Sequence, residues 1–234
     1  MSISPSIETA DVPEAAPVKE KKSRIPWTKI ILESFFVMLG VLTALIADEW
    51  RQNHDDEKRA DRALASVIDE LNANRASVVQ SLTYHLELTR YLRQFEEQAQ
   101  KSPASAVMPD GTVFKKGFLH PASLTSTAWD SAKTTDAVSH MQYERVLTLA
   151  HTYDEQRAYA DQSHEVEQLI FAKLFNEGFE ATLRNHANLL TVISTFWFRE
   201  CQLAGEYDRV LSQLGTQARD PSPLPQICEH ARHP

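Results

Sequence analysis

Glycine and proline are scarce in this chain, with six glycines and eleven prolines among 234 residues. No proline occurs from residue 27 to 102 or from residue 122 to 220. Because proline breaks the interior of a helix, intervals of this length predict long helices. The shortage of glycine also leaves no phosphate-binding loop of a standard type. The sequence therefore predicts an all-α protein.

Several enzyme motifs are also missing. The chain has no Cys-x-x-Cys pair and no Gly-x-Ser-x-Gly nucleophile elbow. His164 and Glu165 begin like the helix of a zinc protease, but Gln168 stands where the second histidine must be. We therefore expect a protein that is not an enzyme, with no catalytic residue, no cofactor and no metal.

Positive charge is scarce after the N-terminal part of the chain. Residues 1–47 contain five Lys/Arg and five Asp/Glu, so the net charge of −8 belongs entirely to the residues that follow. An acidic domain without a basic stripe is poorly suited to bind nucleic acid or an anionic membrane surface. We expect neither as a partner.

One long apolar run is present, from residue 30 to 47, and its single charge is Glu33. On a helix the run covers about 27 Å, close to the hydrocarbon thickness of a bilayer. Tryptophans flank it at a spacing that suits the two edges of a membrane. We expect residues 27–50 to form a transmembrane helix in contact with lipid. The residues expected at the membrane interface are Trp27, Lys29, Glu33 and Trp50.

Two alternatives to a membrane span are less consistent with the sequence. A cleaved signal peptide would begin close to the N-terminus, whereas about 29 residues precede this run and no clean cleavage site follows it. A buried helix of a soluble domain would have polar residues at helical intervals, which residues 35–42 lack.

The flanking charges predict the orientation of the span. Five Lys/Arg precede the apolar run, and Arg51 is the only one among the nine residues after it, 48–56. Because positive residues stay in the cytoplasm, we expect a bacterial inner-membrane protein with a cytoplasmic N-terminus and a periplasmic C-terminal domain.

The rest of the chain is long enough for one domain. We expect residues 1–26 to be a disordered cytoplasmic tail, and the transmembrane helix to continue outward as one long helix. Residues 51–219 should form an antiparallel bundle of about four helices, and residues 220–234 an extended tail.

Apolar residues from Leu64 to Phe95 recur every three or four positions and predict the buried face of the long helix. Asn74, Ser81 and His85 interrupt this apolar face. Polar residues at such positions can fix the register of a bundle. A loop follows from 101 to 122, and its apolar side chains are available to pack against the domain.

The two cysteines, Cys201 and Cys228, have two possible states. In an oxidising periplasm they can form a disulfide, and in the cytoplasm they remain two thiols. Cys228 with His230 and His233 also offers metal-ligand types, but their spacing matches no standard site.

Trp129, Asp130 and Lys133 form a candidate ligand-binding group in a segment rich in serine and threonine. An aromatic ring, a carboxylate and an amine on adjacent turns can line a small-molecule pocket. The alternative is an ordinary helix with Trp129 in the core and its polar side in water.

The span and the helix after it resemble a family of uncharacterised bacterial single-pass membrane proteins. The residues that carry the resemblance are Glu33, the stretch Gly-Val-Leu-Thr-Ala-Leu at 40–45, Asp48, Trp50, Asp61, Arg62 and Leu64. The resemblance covers about residues 28–75 and implies a membrane anchor that leads into a helical domain. It implies no catalytic residue.

These features favour a non-enzymatic, membrane-anchored helical protein that binds a partner protein or scaffolds an envelope complex. Self-association is a further expectation, because Gly40 and Ala44 form a small-x-x-x-small pair in the span. The alternative function is a ligand-sensing periplasmic bundle that signals through a partner.

Overall fold

A computed structural model describes residues 27–101, 111–219, 224 and 228. This part of the chain is helical and contains no strand, which confirms the all-α prediction. The α-helices are α1 (Trp27–Lys101), α2 (Thr127–Thr134), α3 (Tyr143–Glu177), α4 (Phe179–Arg184) and α5 (His186–Gln213). Two short 3₁₀ helices cover Gly111–Phe114 and Ala137–His140. The predicted tail over residues 1–26 lies outside the described residues, as does nearly all of the tail over 220–234.

The chain divides into two compact units, with the boundary between Arg51 and Gln52. In the first unit, residues 27–51 of α1 are exposed along their whole length. The predicted helix is therefore present, and by length and composition it is a candidate membrane span. Its flanking residues Trp27 and Trp50 are 69 % and 72 % exposed.

The second unit is built on the rest of α1 together with α3 and α5. The predicted apolar face of α1 is confirmed, because Val67, Leu71, Val78, Leu88 and Leu92 are all buried. Their partners in the core come from the other long helices and include the buried residues Leu149, Ile193, Tyr207 and Leu211. Burying such side chains contributes about 1.5–3 kcal/mol each to stability.

Gly178 separates α3 from α4. Its backbone has φ 81° and ψ 172°, a conformation that is essentially restricted to glycine. Its N–H donates to the carbonyl oxygen of Leu174 at 3.0 Å, which ends α3. The helical stretch from 143 to 184 is therefore two helices.

The described part of the connection between α1 and α2, from residue 111 onward, packs into the domain as the sequence predicts. Phe114, Phe118 and Leu119 are buried, and the ring centroids of Phe114 and Phe118 lie 4.6 Å apart. Residues 118–126, here called the inner segment, have no regular secondary structure. The backbone of the inner segment therefore needs hydrogen-bond partners from side chains or water.

Candidate functional site

Asn74 pairs with the inner segment through both ends of its amide. Its Nδ2 donates to the carbonyl oxygen of Thr125 at 2.8 Å, and its Oδ1 accepts from the N–H of Thr125 at 3.0 Å. Gln156 on α3 donates to the same carbonyl at 2.9 Å, and Tyr207 on α5 donates to Gln156 at 2.8 Å. These bonds join three long helices to one point of the inner segment.

A second polar centre surrounds Glu200 on α5, whose side chain is fully buried. The Nδ1 of His85 lies 3.0 and 2.9 Å from its two carboxyl oxygens. The hydroxyl of Tyr159 donates to Oε1 at 2.9 Å, and the Oγ of Ser81 lies 2.6 Å from the same oxygen. Burial raises the pKa of Tyr159, so the phenol remains a donor.

The same side chains hold the backbone of the inner segment. The N–H of His120 donates to Nε2 of His85 at 3.1 Å. The carbonyl oxygen of His120 lies 2.5 Å from Oγ of Ser81. The N–H of Ala122 donates to the hydroxyl of Tyr159 at 3.0 Å. The polar interruptions of the α1 face are thus groups that satisfy a partly buried backbone without secondary structure.

This centre contains the residue types of a hydrolase triad but not its geometry. In a triad the serine hydroxyl contacts the histidine, which in turn contacts the carboxylate. Here Ser81 contacts Glu200, and the Nε2 of His85 already accepts a backbone N–H. Both His85 and Glu200 are 0 % exposed, so no substrate reaches them. The arrangement is structural.

The predicted ligand-binding group consists of Trp129, Asp130 and Lys133, which lie close together on α2. None of the three lines either of the cavities beside α3. Trp129 is buried, and its ring stacks on Tyr153 at 5.5 Å with an interplanar angle of 3°. Lys133 pairs with Asp130 at 2.8 Å on the surface. Hydrogen bonds from Lys133 and then Ser126 lower the pKa of the Asp130 carboxyl.

Glu70 on α1 caps the N-terminus of α2, a role that the sequence did not reveal. Its carboxylate accepts the N–H of Ala128 at 2.9 Å and that of Trp129 at 3.4 Å. The hydroxyl of Tyr153 donates to it at 2.6 Å. A carboxylate at this end of a helix is stabilised by the helix dipole and by the free N–H groups. Glu70 thus fixes α2 and the ring stack together.

An apolar cavity of about 270 Å³ opens beside α3 and the 3₁₀ helix Gly111–Phe114. Its walls include aromatic rings in mutual contact, with Phe118 stacked on Phe179 at 5.2 Å. Phe171 forms one edge of the cavity and is 64 % exposed. Phe175, four residues further along the same helical face, is 90 % exposed. We call Phe171, Phe175 and this cavity the aromatic surface.

A larger, polar cavity of about 620 Å³ lies between α3 and α5. Glu206 on its wall accepts a hydrogen bond from Nε of Arg209 at 2.8 Å. Partial burial acts to raise the pKa of Glu206, but the hydrogen bonds and charge of Arg209 outweigh it and the pKa is lowered. The remaining walls are His151, Glu155, Tyr159, Arg199, Gln202, Leu203, Gly205 and Asp208.

Cys201 and Cys228 form a disulfide, with their Cα atoms 5.2 Å apart. Of the two states that the sequence left open, the structure has the bonded one. Within the described residues, no group of three His, Cys, Asp or Glu side chains could hold a metal ion. His230 and His233 lie outside those residues.

At the ends of the candidate span, the structure places the interface residues as follows. Nζ of Lys29 lies 3.8 Å from the carboxylate of Glu33, one helical turn away, and both side chains are exposed. Trp27 and Trp50 are exposed at the two ends. The charged atoms of this pair thus lie close enough to offset each other at the first turn of the apolar run.

Comparison with known proteins adds no relative. No protein-family model matches the chain, and no curated protein or solved structure matches it either.

Proposed function

We propose that this chain is a non-enzymatic, membrane-anchored helical protein whose helical domain binds a partner protein. The anchor is supported by an exposed apolar stretch in which Ile31, Phe36, Val37 and Ile46 are each at least 60 % exposed. Exposing so much contiguous apolar surface to water is unfavourable, whereas lipid accommodates it.

In this proposal the protein is in a bacterial inner membrane, with the N-terminus in the cytoplasm and the helical domain in the periplasm. The excess of Lys/Arg before the span supports that orientation. The disulfide between Cys201 and Cys228 supports it independently, because such bonds persist in oxidising compartments.

Partner binding rests on one observation, the exposure of Phe171 and Phe175 on one face of α3. Large apolar side chains exposed next to one another, beside an apolar cavity, are typical of protein-interaction sites. The partner would be a second protein or a second copy of this chain, since both offer apolar side chains of a size that fits the cavity.

A photocrosslinking residue at position 175 tests partner binding in intact cells. We expect a discrete crosslinked product from position 175, and its loss when Phe171→Glu is added. The matched control is the same crosslinker at Ala158, an exposed position of α3 away from this surface. A product at twice the mass of the chain identifies a second copy. Equal products from positions 158 and 175, or none from 175, would contradict the proposal.

The polar cavity between α3 and α5 favours a second candidate, a ligand-sensing domain that signals through a partner. Its volume suits a small molecule, and its walls carry both guanidinium and carboxylate groups. A thermal-shift screen with polar metabolites distinguishes the two functions. A sensor would show a higher Tm with one compound, and Arg199→Ala would abolish that shift. A partner-binding protein would show no shift.

A further inference from the structure

The polar centre around Glu200 contains more contacts than an ionised carboxylate can satisfy. Ser81 has one hydroxyl proton, yet its Oγ lies 2.5 Å from the carbonyl oxygen of His120 and 2.6 Å from Oε1 of Glu200. A carbonyl oxygen and an ionised carboxylate can only accept hydrogen bonds. If Glu200 were ionised, one of these two contacts would bring two oxygen lone pairs together without a proton.

The neighbouring side chains cannot supply the missing proton. The Nε2 of His85 accepts the N–H of His120, so it carries no hydrogen, and the ring's single proton is on Nδ1 facing Glu200. The hydroxyl oxygen of Tyr159 accepts the N–H of Ala122, and its proton is donated to Glu200. Both side chains are therefore neutral and fully used.

We propose that Glu200 is a proton-binding site, and that its neutral carboxyl group donates from Oε1 to Ser81. Ser81 then donates to the carbonyl oxygen of His120. Each donor–acceptor pair of the centre then shares one proton. The centre also has no net charge, which matches its complete burial. Because Ser81 accepts the carboxyl proton, it is free to donate its own proton to His120. The hydrogen bond to the inner segment therefore depends on the proton of Glu200.

The surroundings contain no cation that would favour an ionised Glu200 instead. The groups facing it are Ser81 and His85 from α1, Tyr159 from α3 and the backbone of the inner segment. Within the described residues, His85 is the only basic side chain within 4.0 Å of its carboxyl group. The imidazole of His120 is a further titratable group near the centre. Burial, then Lys116 and His85, lower its pKa against the opposing effects of Glu167 and Glu200, which disfavours a cation there.

Loss of the proton has a definite consequence. With Glu200 ionised, Ser81 must turn its hydroxyl either to Glu200 or to His120, and the unbonded contact opens. Because folding then requires uptake of a proton, the folding equilibrium constant falls as the pH rises. The sign follows from the folded state binding one proton more than the unfolded state.

Infrared spectroscopy of the full-length chain, ¹³C-labelled at glutamate and held in detergent at pH 7, tests the proposal directly. We expect the carbonyl band of a protonated carboxyl group, absent in Glu200→Gln and present in the control Glu87→Gln, an exposed glutamate of α1. Ser81→Ala should keep the band and shift it to higher frequency, since the proton loses its acceptor. That variant serves if Glu200→Gln does not fold.

Denaturation between pH 5 and 8 gives the second measurement. The ratio of the folding constants of the original chain and Glu200→Gln should fall as the pH rises. With Glu87→Gln in place of Glu200→Gln, the ratio should stay constant. Absence of the protonated band at pH 7, or a constant ratio with Glu200→Gln, would overturn the proposal.

Discussion

Asn74 provides for the inner segment what a neighbouring β-strand would provide, one acceptor and one donor for the same residue, Thr125. Ser81, His85 and Tyr159 do the same for the residues around His120. A buried backbone group without a partner costs about 1–3 kcal/mol, so these side chains stabilise a partly buried segment that has no regular secondary structure. Polar residues in the core of this domain therefore stabilise a loop.

Glu70→Ala is expected to destabilise the domain by about 2–4 kcal/mol, because four hydrogen bonds to its carboxylate are lost and the hydroxyl of Tyr153 is left without its acceptor. Equilibrium denaturation measures the change. Glu87→Ala, on the exposed side of the same helix, should change stability by no more than about 0.5 kcal/mol. Equal effects of the two substitutions would show that Glu70 does not cap α2.

The sequence marked three residues of the two polar centres, but it predicted for them only a role in fixing the register of the bundle. Asn74, Ser81 and His85 were visible because they interrupt an apolar repeat, but their partners lie 35 or more residues away and depend on tertiary packing. Glu200 was missed, although a signal exists. It lies four residues after Phe196 and three before Leu203, both buried, and therefore on the apolar face of α5.

Among the helices, the prediction is confirmed where the helical spacing of apolar residues coincides with an interval that contains no proline. The long first helix expected from the sequence is α1, and the proline-free interval from 122 to 220 contains the long helices α3 and α5. The stretch after residue 141 is less regular, because Gly178 adopts a backbone conformation that no periodicity reveals. The segment around Trp129 forms a helix of only eight residues, held by Glu70 from another part of the chain.

Gly178→Ala tests the break between α3 and α4. A Cβ at this position would meet nothing within 4 Å, so its cost comes only from the positive φ of 81°. We expect a loss of about 1–3 kcal/mol in the free energy of unfolding, measured by chemical denaturation. Asn176→Ala, two residues earlier on the exposed side of α3, is the control and should be nearly neutral. An unchanged stability for Gly178→Ala would show that the break is not fixed by this glycine.

For the whole molecule, the disulfide and the candidate span make a joint prediction. If the domain is periplasmic, Cys201 and Cys228 should be bonded in cells, and a thiol reagent added under denaturing conditions should label neither until a reductant is present. Mass spectrometry counts the labels. Replacing both cysteines by serine should cost about 3–4 kcal/mol, since the bond closes a loop with a sequence separation of 27. Labelling of both thiols without reductant would place the domain in the cytoplasm.

Extraction of isolated membranes with alkaline carbonate tests the anchor most directly. We expect the full-length, uncleaved chain to stay in the membrane pellet. A variant with both Leu39→Arg and Leu42→Arg should be released, because each arginine near the middle of a span costs about 2.5–3.5 kcal/mol. Recovery of the original chain, intact, in the soluble fraction would contradict membrane anchoring.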